Sequence, residues 1–334
     1  MAILFIDGFD YYNSSQETDL AGRWSTVSNI TINAAPRNGH GQAVLITGTS
    51  DLIYNFPATL TTFHVAFAFK LGGVPSSNRI LCTFKSGSTT QLYIMVTSAG
   101  TIQVVTAGTA RGATTTQWAV DVWHHIAMKI TIDNTVGSFE LRVDGSATPE
   151  INETNIDTQA SSGANCTNLQ IEGDFSFWFI DDFVFADDTG GQAFLGDYDV
   201  YTIYPDGAGA STQFTPSAGS NWQNVDETKN DGDTTYNESQ TVGHKDRFTM
   251  GNVPADTDTI YAVQVGAFSR KTDVGTRELN VLAYDGTTEG AGADKSLTTA
   301  YEWALGMFED HPTSAAPWTE SEVNSMEAGY EVAV

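Results

Sequence analysis

An alternation of apolar and polar residues in 123–145 constrains the fold more than any other feature of the sequence. Two runs place an apolar residue at every second position: Ile126, Met128, Ile130 and Ile132, then Phe139, Leu141 and Val143. Because successive side chains of a strand point to opposite faces, each run predicts a strand with one buried face. Residues 133–137 between the runs are typical of a turn, so the segment predicts an antiparallel hairpin. A lone hairpin is marginally stable in water, and we expect a larger sheet and a second layer to cover it.

Further short strands are predicted throughout the first half of the chain, separated by turns rich in Gly, Pro and Ser. They are predicted at 3–6, 42–47, 51–56, 63–71, 79–85, 91–97, 101–106, 169–172 and 175–185. Pro57 is taken as the end of the third of these strands. Residues 1–190 show no convincing helical pattern, and many short strands at regular spacing indicate an antiparallel β-sandwich.

Small and acidic residues at 186–191 mark a predicted boundary between two domains, 1–190 and 191–334. Strands of the second domain are predicted at 195–204, 260–270, 279–284, 301–308 and 330–334, with loops at 205–220 and 226–238. Thr319 and Glu322 have the spacing of a capping box, which predicts a short helix ending near residue 328. The predicted fold class is therefore all-β, with two antiparallel, jelly-roll-like β-sandwich domains and one short helix near the C-terminus.

The charge of the chain is strongly acidic, with 41 Asp and Glu against 15 Lys and Arg, a net charge of −26. Such a surface repels phosphate backbones, and since no basic cluster offsets it, we expect no nucleic-acid partner. Acidic stretches at 187–188, 226–227 and 230–233 offer carboxylates to Ca²⁺, although none has EF-hand spacing. The alternative for each stretch is a solvated acidic surface. We assign no metal ligand and no cofactor, and leave Ca²⁺ open.

Two further features concern location and redox state. No apolar run approaches the roughly 20 residues of a membrane span, and the N-terminus lacks the basic region and cleavage site of a signal peptide. We therefore expect synthesis in a cytoplasm without classical export, and no membrane insertion. Cys82 and Cys166 either pair across the sandwich or are free and buried.

The adjacent histidines His124 and His125 are the only histidine pair in the sequence. Neighbouring residues of a strand point to opposite faces, so the two side chains are unsuited to sharing a metal ion. We expect His124 on the core side and His125 on the solvent side. The motifs of serine hydrolases, zinc proteases and nucleotide-binding loops do not occur.

Two pairs of carboxylates are candidates for a catalytic or metal-binding role. Glycoside hydrolysis needs two carboxylates across the sugar bond, and Glu172 and Asp174 would share one strand face. No third carboxylate follows them on that face. Asp181 and Asp182 lie within an aromatic strand, where one of them is either a structural acid or a Ca²⁺ ligand. We assign no catalytic residue, and the chain is predicted not to be an enzyme.

Three segments together resemble the concanavalin A-like, laminin-G-like jelly roll: WHHI (123–126), FELRVDG (139–145) and FIDDF (179–183). The resemblance covers roughly residues 1–190 and implies two packed antiparallel sheets, in a family whose members often bind glycans or Ca²⁺. Related glucanases carry a Glu-x-Asp-x-x-Glu motif on one strand. In this sequence Glu172 and Asp174 match its first two acids, and Phe177 replaces the last one.

A wider resemblance to tailed-bacteriophage virion proteins covers nearly the whole chain. The matching segments are LFIDGFDYY (4–12), 194–227, TVGHKDRF (241–248), 262–277 and 317–332. It implies a virion protein assembled in the host bacterial cytoplasm, with a displayed lectin-like domain, as a capsid decoration or a tail or fibre component. Its partners would be other virion proteins and copies of itself, with a trimer as the first guess.

Two other functions stay open at this point. One is a carbohydrate-binding adhesin that attaches to a host surface glycan, for which we assign no binding residue. The other, less favoured, is a glycan-cleaving enzyme. The sequence does not distinguish a capsid position from a tail position, and it does not identify the domain that anchors the chain to the particle.

Overall fold

The chain forms two compact units, Met1–Val200 and Tyr201–Val334, built almost entirely from antiparallel strands. A computed structural model describes residues 2–12, 20–33, 36–160, 163–173, 178–189, 194, 196–255, 257 and 259–334. The predicted all-β fold class, with β-sandwich architecture and a short helix near the C-terminus, is confirmed. Over these ranges, no helix has the length and apolar character needed to cross a bilayer.

The strands of the first unit form two sheets that face each other. They are β1 (Ile3–Asp7), β2 (Thr26–Ser28), β3 (Thr31–Asn33), β4 (Ala43–Ile46), β5 (Asp51–Leu60), β6 (Thr62–Leu71), β7 (Arg79–Ser86), β8 (Thr89–Val96), β9 (Ile102–Thr106), β10 (Thr109–Ala113), β11 (Trp123–Thr131), β12 (Gly137–Val143), β13 (Ile151–Ile156), β14 (Cys166–Glu172) and β15 (Trp178–Asp187). The eight-stranded sheet has the order β13-β12-β11-β6-β15-β4-β3, with β1 also paired to β15. The seven-stranded sheet has the order β10-β9-β8-β7-β14-β5-β2.

Aromatic side chains from both sheets fill the space between them. Phe56 of the seven-stranded sheet lies 4.3 Å from Phe185 of the eight-stranded sheet, and Phe84 lies 5.6 Å from Phe63, as ring-centroid distances. Full burial of one such side chain stabilises a fold by about 1.5–3 kcal/mol. The sandwich is therefore held chiefly by this aromatic layer.

The predicted hairpin at 123–145 is formed by β11 and β12. The apolar residues of the two runs are paired directly across the strands: Ile126 with Val143, Met128 with Leu141, and Ile130 with Phe139. In the turn, the Asp133 carboxylate accepts hydrogen bonds from the backbone N–H groups of Thr135 at 2.7 Å and Val136 at 2.9 Å. These bonds replace strand pairing at the point where the chain reverses.

The outer face of the eight-stranded sheet is covered, although the alternation predicted that it faces water. Ala66, Ala68 and Ala127 on this face are all buried. Phe194 and residues 196–200, which we call the covering segment, pack over the face. Small alanine side chains leave room for this third layer, so a two-faced pattern became a sheet buried on both sides.

The covering segment lies beyond the predicted domain boundary at 190. Its residues belong to the first unit, which ends at Val200. The predicted strand at 195–204 is wrong in its described part, since residues 196–204 form no strand. The Tyr198 carbonyl oxygen and the Val200 N–H are instead bound by the side chains of Arg37 and Asp182, as described below.

Several strands of the first unit were not predicted, namely β2, β3, β10 and β13. Pro57 does not end a strand but lies inside β5. Proline lacks a backbone donor, and β5 tolerates it because β2 pairs only with residues 51–53, leaving an open edge beside Pro57. A register shift in the pairing of β5 with β14 occurs in the same region.

The second unit contains a six-stranded sheet and a two-stranded ribbon. Its strands are β16 (Pro205–Thr212), β17 (Thr215–Pro216), β18 (Asn237–Glu238), β19 (Lys245–Met250), β20 (Val263–Ser269), β21 (Glu278–Tyr284), β22 (Glu289–Ala291), β23 (Lys295–Ser296), β24 (Glu302–Phe308) and β25 (Glu327–Val332). The sheet has the order β16-β19-β25-β21-β22, with β23 also on β21. The ribbon consists of β20 and β24, and its residues Val265 and Ala304 share a core with Val281 of the sheet.

Local sequence predicted this unit less completely. The capping box is confirmed, with the Glu322 N–H bonded to the Thr319 hydroxyl and the Thr319 N–H bonded to the Glu322 carboxylate. The helix α1 (Glu320–Val323) is shorter than predicted, because β25 begins at Glu327. The predicted loop at 205–220 contains β16, whose Gly209 would bring a Cβ within 2.5 Å of the Arg247 carbonyl oxygen. Glycine is needed there for close pairing.

Each unit contains a buried aspartate whose carboxylate organises the surrounding backbone. Asp7 at the end of β1 accepts hydrogen bonds from the Tyr12 hydroxyl at 2.6 Å, the Trp24 indole at 2.8 Å and the Phe9 N–H at 3.0 Å. The Arg23 guanidinium lies 3.9 Å from the same carboxylate. These bonds fix the LFIDGFDYY segment against the core, since a buried charge is stable only when it is fully paired.

Asp246 has the same role in the second unit, where it is fully buried. One carboxylate oxygen accepts the N–H groups of Gln213 at 2.6 Å and Phe214 at 3.0 Å. The other accepts the Asn221 side-chain amide at 2.7 Å. The loop after β16 is thereby held on β19.

We predict that Asp7→Asn lowers the free energy of unfolding of the first unit by about 3–5 kcal/mol. The amide nitrogen of Asn would face hydrogen-bond donors, and Arg23 would lose the carboxylate charge beside it. Denaturant unfolding followed by the fluorescence of the tryptophans checks this value. Asp121→Asn, at an exposed position, is the control and should change stability by less than about 0.5 kcal/mol. Equal stability of the two variants would contradict the role of Asp7.

Candidate functional site

The two histidines lie on opposite faces of β11, as predicted, but neither faces solvent freely. His124 packs against Trp118 with a centroid distance of 4.8 Å, and its Nδ1 lies 2.9 Å from Asp144 Oδ2. His125, expected on the solvent side, is the more buried of the two, with 1% of its surface exposed. Tyr198 of the covering segment lies edge-on at 4.4 Å. Burial, together with the nearby Arg37, lowers the pKa of His125 to about 3, so it is neutral at physiological pH.

Of the two carboxylates that could serve glycoside hydrolysis, Glu172 and Asp174, only Glu172 lies within the described residues. Glu172 accepts a hydrogen bond from the hydroxyl of the buried Thr83, across β14 and β7. Asp174 and Phe177 lie outside the described residues. The geometry of the pair therefore carries no argument for glycan cleavage.

Both cysteines are free and buried. Cys82 lies opposite Ile171 on the neighbouring strands β7 and β14, and Cys166 lies five residues from Ile171 along β14. At a strand rise of about 3.3 Å per residue the two cysteines are roughly 16 Å apart, beyond the reach of a disulfide. Of the two alternatives, the structure therefore shows free, buried cysteines.

Arg37 is the centre of a charged cluster on the outer face of the first unit. Its side chain is 11% exposed and forms ion pairs with Asp182 at 3.2 Å, with Asp199 at 3.6 Å and with Asp197. It also donates a hydrogen bond of 2.8 Å to the Tyr198 carbonyl oxygen. We call these four charged residues the Arg37 cluster. One cation thus holds three carboxylates and one backbone carbonyl, and fixes the covering segment on the sheet.

Both aspartates of the aromatic strand, Asp181 and Asp182, are structural acids. A bulge in β15 interrupts its pairing with β6 here, and Asp182 has a φ of 51°, so both carboxylates are buried. Asp182 accepts the Val200 N–H at 2.7 Å, and Asp181 accepts the Arg37 N–H at 2.9 Å. Both residues accept backbone N–H groups, as expected of a structural acid, and they do so beneath the covering segment on the outer face.

Burial governs the protonation of this pair. Burial, and then repulsion by Asp182, raise the pKa of Asp181 well above the usual value of an aspartate. Burial also raises the pKa of Asp182, although the Val200 N–H and Arg37 oppose this effect. Asp181 is therefore the member of the pair that favours a proton.

The acidic stretch 187–188, considered for Ca²⁺, is engaged with neighbouring groups of the first unit. Asp187 accepts hydrogen bonds from the N–H and the hydroxyl of Thr189 at 2.8 and 2.6 Å. Asp188 contacts Lys129 at 2.7 Å and His64 at 3.0 Å. These contacts fit an acidic surface turn.

In the second unit, the stretches 226–227 and 230–233 form a hydrogen-bonded loop. The hydroxyl of Thr235 lies 2.7 Å from a carboxylate oxygen of Glu227 and 2.7 Å from one of Asp231, which share its single proton. Asp233 forms an ion pair with Arg270 at 2.9 Å. Among the residues that the structure describes, no three potential ligand side chains lie close enough together to hold a metal ion.

A small pocket of about 60 Å³ lies on the outer face of the first unit. It is lined by His125, Ala127, Arg142, Gly145, Ser146, Phe194 and Gly196. The guanidinium of Arg142 lies over the Phe194 ring at 4.4 Å and forms one wall. Typical small-molecule sites have roughly 300–1,000 Å³, so this pocket accommodates a few water molecules and not a sugar residue.

A different arrangement occurs on the ribbon of the second unit. Phe268 of β20 is paired with Trp303 of β24, on the face of the ribbon opposite to the core residues Val265 and Ala304. Tyr301 stacks on Phe268 with a centroid distance of 5.0 Å and an angle of 15°. We call Phe268, Tyr301 and Trp303 the aromatic platform. All three side chains are half-buried.

An exposed glycine beside the platform shapes its surface. A Cβ placed on Gly266 would lie 3.5 and 3.6 Å from two ring carbons of Trp303. The indole therefore lies against the open backbone of the ribbon, where a side chain at position 266 would compete with it. Phe268 lies 5.0 Å from Trp303, which joins the rings into one apolar strip.

Neither the Arg37 cluster nor the aromatic platform was identified from the sequence. Arg37 lies in a polar stretch with no pattern, and Asp197 was assigned to the second domain. The available signals were Gly-x-Phe in β20 opposite Tyr-x-Trp at 301–303, and the alanines on the outer face of the eight-stranded sheet. These patterns can be interpreted only when the strand pairing is known.

Comparison with protein-family models and with curated proteins gave no match. Among solved structures, the chain is similar to domain 4 of an extracellular arabinanase from Geobacillus stearothermophilus in complex with arabinotriose, at 16% identity, over 56% of this chain and 92% of that chain, with a TM-score of 0.38. It is also similar to a SAP-like pentraxin from Limulus polyphemus, at 16% identity, over 42% of this chain and 73% of that chain, with a TM-score of 0.31.

A third similarity is to a sialidase from Trypanosoma rangeli, at 12% identity, over 46% of this chain, with a TM-score of 0.35. The match spans only 26% of the sialidase chain. All three similarities are partial and of low identity. The β-sandwich assignment therefore rests on the strands and pairings described above.

We predict that Arg37→Met releases the covering segment and lowers the free energy of unfolding by about 3–5 kcal/mol, because Asp182 becomes a buried, unpaired charge. Hydrogen exchange of the Val200 amide should accelerate markedly, and it reports on the segment directly. Arg277→Met is the control, since its surface ion pair with Asp273 is worth less than about 1 kcal/mol. An unchanged exchange rate at Val200 would show that Arg37 does not hold the segment.

The raised pKa of Asp181 predicts a pH dependence of stability. The folded state retains a proton that the unfolded state loses near the ordinary pKa of about 3.9, so this stabilisation is complete below pH 4 and is lost as the pH rises through the folded pKa. We therefore expect Asp181→Asn to reduce the loss of stability between pH 5 and pH 8, as measured by denaturant unfolding at each pH. Asp121→Asn should leave that loss unchanged. Parallel curves for wild type and Asp181→Asn would refute the assignment.

Proposed function

We propose that this chain is a non-enzymatic structural protein of a tailed-bacteriophage virion, which packs on the particle and displays the β-sandwich of its first unit. The proposal starts from the sequence resemblance, which extends over segments of both units. The support from the structure lies in what those segments do in the fold.

The observation that carries the proposal is that the resembling segments contain the residues on which each unit depends. Segment 4–12 contains Asp7, which fixes the N-terminal loop through hydrogen bonds from Phe9 and Tyr12. Segment 194–227 includes the covering segment and the loop bound by Asp246. Segment 317–332 provides Trp318 and other members of the second core. The segments that carry the resemblance therefore supply residues on which the folds of both units depend.

The engagement of the acidic residues supports a structural role over a catalytic one. Asp181 and Asp182 bind backbone N–H groups and Arg37, and Glu172 accepts a hydrogen bond from Thr83. A general acid or base must instead be within reach of a substrate proton. Asp181 and Asp182, whose pKa values are raised by burial, hold Arg37 and the covering segment.

Such a protein would be assembled in the host bacterial cytoplasm and carried on the particle as a capsid decoration or as part of the tail or its fibres. Its partners would be other virion proteins and copies of itself, because particle positions are repeated by symmetry, with a trimer as the first expectation. The net charge of −26 opposes a role on the packaged nucleic acid.

Particle composition tests the proposal. We expect the chain to remain in particles of the encoding phage after a density gradient and a wash at high salt, at a fixed copy number per particle in quantitative mass spectrometry. A replication protein from the same genome is the control and should be removed. Reconstruction of the particle would then show whether the chain occupies the capsid or the tail. Loss of the chain from washed particles would overturn the proposal.

A further inference from the structure

We propose that the aromatic platform of the second unit binds neutral saccharide chains. This inference is independent of the virion role, because it rests on the contacts of one surface of the ribbon and not on the sequence resemblance. It places the binding of a glycan in the second unit, on Phe268, Tyr301 and Trp303, and not on the sheet faces of the first unit.

The outer face of the first unit is occupied by its own chain. The covering segment lies on it, and the pocket that remains has about 60 Å³. The outer face of the ribbon differs, since Gly266 is exposed and the three rings beside it are half-buried. At the platform, aromatic surface meets solvent beside exposed backbone.

The rings are fixed before any ligand arrives. Phe268 stacks on Tyr301 at 5.0 Å and contacts Trp303 in a tilted arrangement at 5.0 Å, as ring-centroid distances. The indole of Trp303 lies against Gly266, and the ribbon beneath is anchored by buried Val265. A preformed aromatic surface binds with little loss of side-chain entropy. The C–H face of a pyranose ring is apolar and flat, and it buries well on such rings.

A polar edge adjoins the platform. The Tyr301 hydroxyl donates a hydrogen bond of 2.7 Å to Asp233, and Arg270 donates to both oxygens of this carboxylate at 2.9 and 3.0 Å. The Asp233 side chain is nevertheless 63% exposed. A carboxylate has about four acceptor positions, so Asp233 retains capacity for a ligand hydroxyl. Neighbouring hydroxyls of a sugar can donate to Asp233 and accept from Arg270.

The charges of this edge select a neutral ligand. Asp233 and Arg270 neutralise each other, and the guanidinium is also 5.2 Å from the Tyr301 ring. The rest of the chain carries a large negative charge, which repels sialylated or uronic sugars. The described residues of this edge do not provide three potential metal ligands close together. Binding should therefore favour neutral hexose chains and should not require Ca²⁺.

The test uses the full chain on an array of neutral and acidic glycans, with Ca²⁺ and with EDTA, followed by titration of the bound glycans in solution. We expect neutral glycans to be retained equally in both conditions. Trp303→Ala and Asp233→Asn should each weaken binding about tenfold or more. Tyr236→Ala, which removes an exposed aromatic ring elsewhere in the second unit, is the matched control and should bind as wild type does.

Three results would overturn the inference. One is retention of no neutral glycan by the wild-type chain. Another is unchanged binding by both Trp303→Ala and Asp233→Asn. The third is a change in sedimentation of Trp303→Ala without a change in glycan binding, which would identify the platform as a contact between copies of the chain. Should Trp303→Ala fail to fold, the exposed Asp233→Asn variant decides the question. Incorporation into particles is measured separately, so failure of one proposal leaves the other intact.

Discussion

The structure depends on burying carboxylates whose charge is fully satisfied by neighbouring donors. Asp7 in the first unit and Asp246 in the second each bind groups from separate loops, so one side chain fixes several segments of backbone. A buried carboxylate is costly unless every position is paired, and this cost excludes alternative loop arrangements. The aromatic layers supply most of the stabilisation, while these acids specify where the chain lies.

The same principle explains the outer face of the first unit. Arg37 joins Asp182 on the sheet to Asp197 and Asp199 on the covering segment, and it turns a two-layer sandwich into a three-layer arrangement at this place. Acids in an aromatic strand resemble catalytic groups in sequence. In the folded protein Asp181 and Asp182 hold the covering segment, and that segment occupies the outer face of the sheet beside them.

The second unit uses a simpler device. A two-stranded ribbon covers the six-stranded sheet, with one face in the core and the other toward solvent. Aromatic residues on the outer face compensate for Gly266, which exposes backbone and contributes no side-chain packing. The arrangement stabilises the ribbon and at the same time forms a rigid apolar surface beside the Asp233–Arg270 pair.

The sequence alone determined the all-β class, the hairpin at 123–145 and the capping box at Thr319, because these depend on alternation and on contacts within a few residues. It did not determine the covering of the outer face, the boundary at Val200 or the platform at Trp303. Those features arise from pairs such as Arg37 with Asp197 and Phe268 with Trp303, which are distant in sequence. Only the strand order brings them together, and periodicity within one segment contains no information about that order.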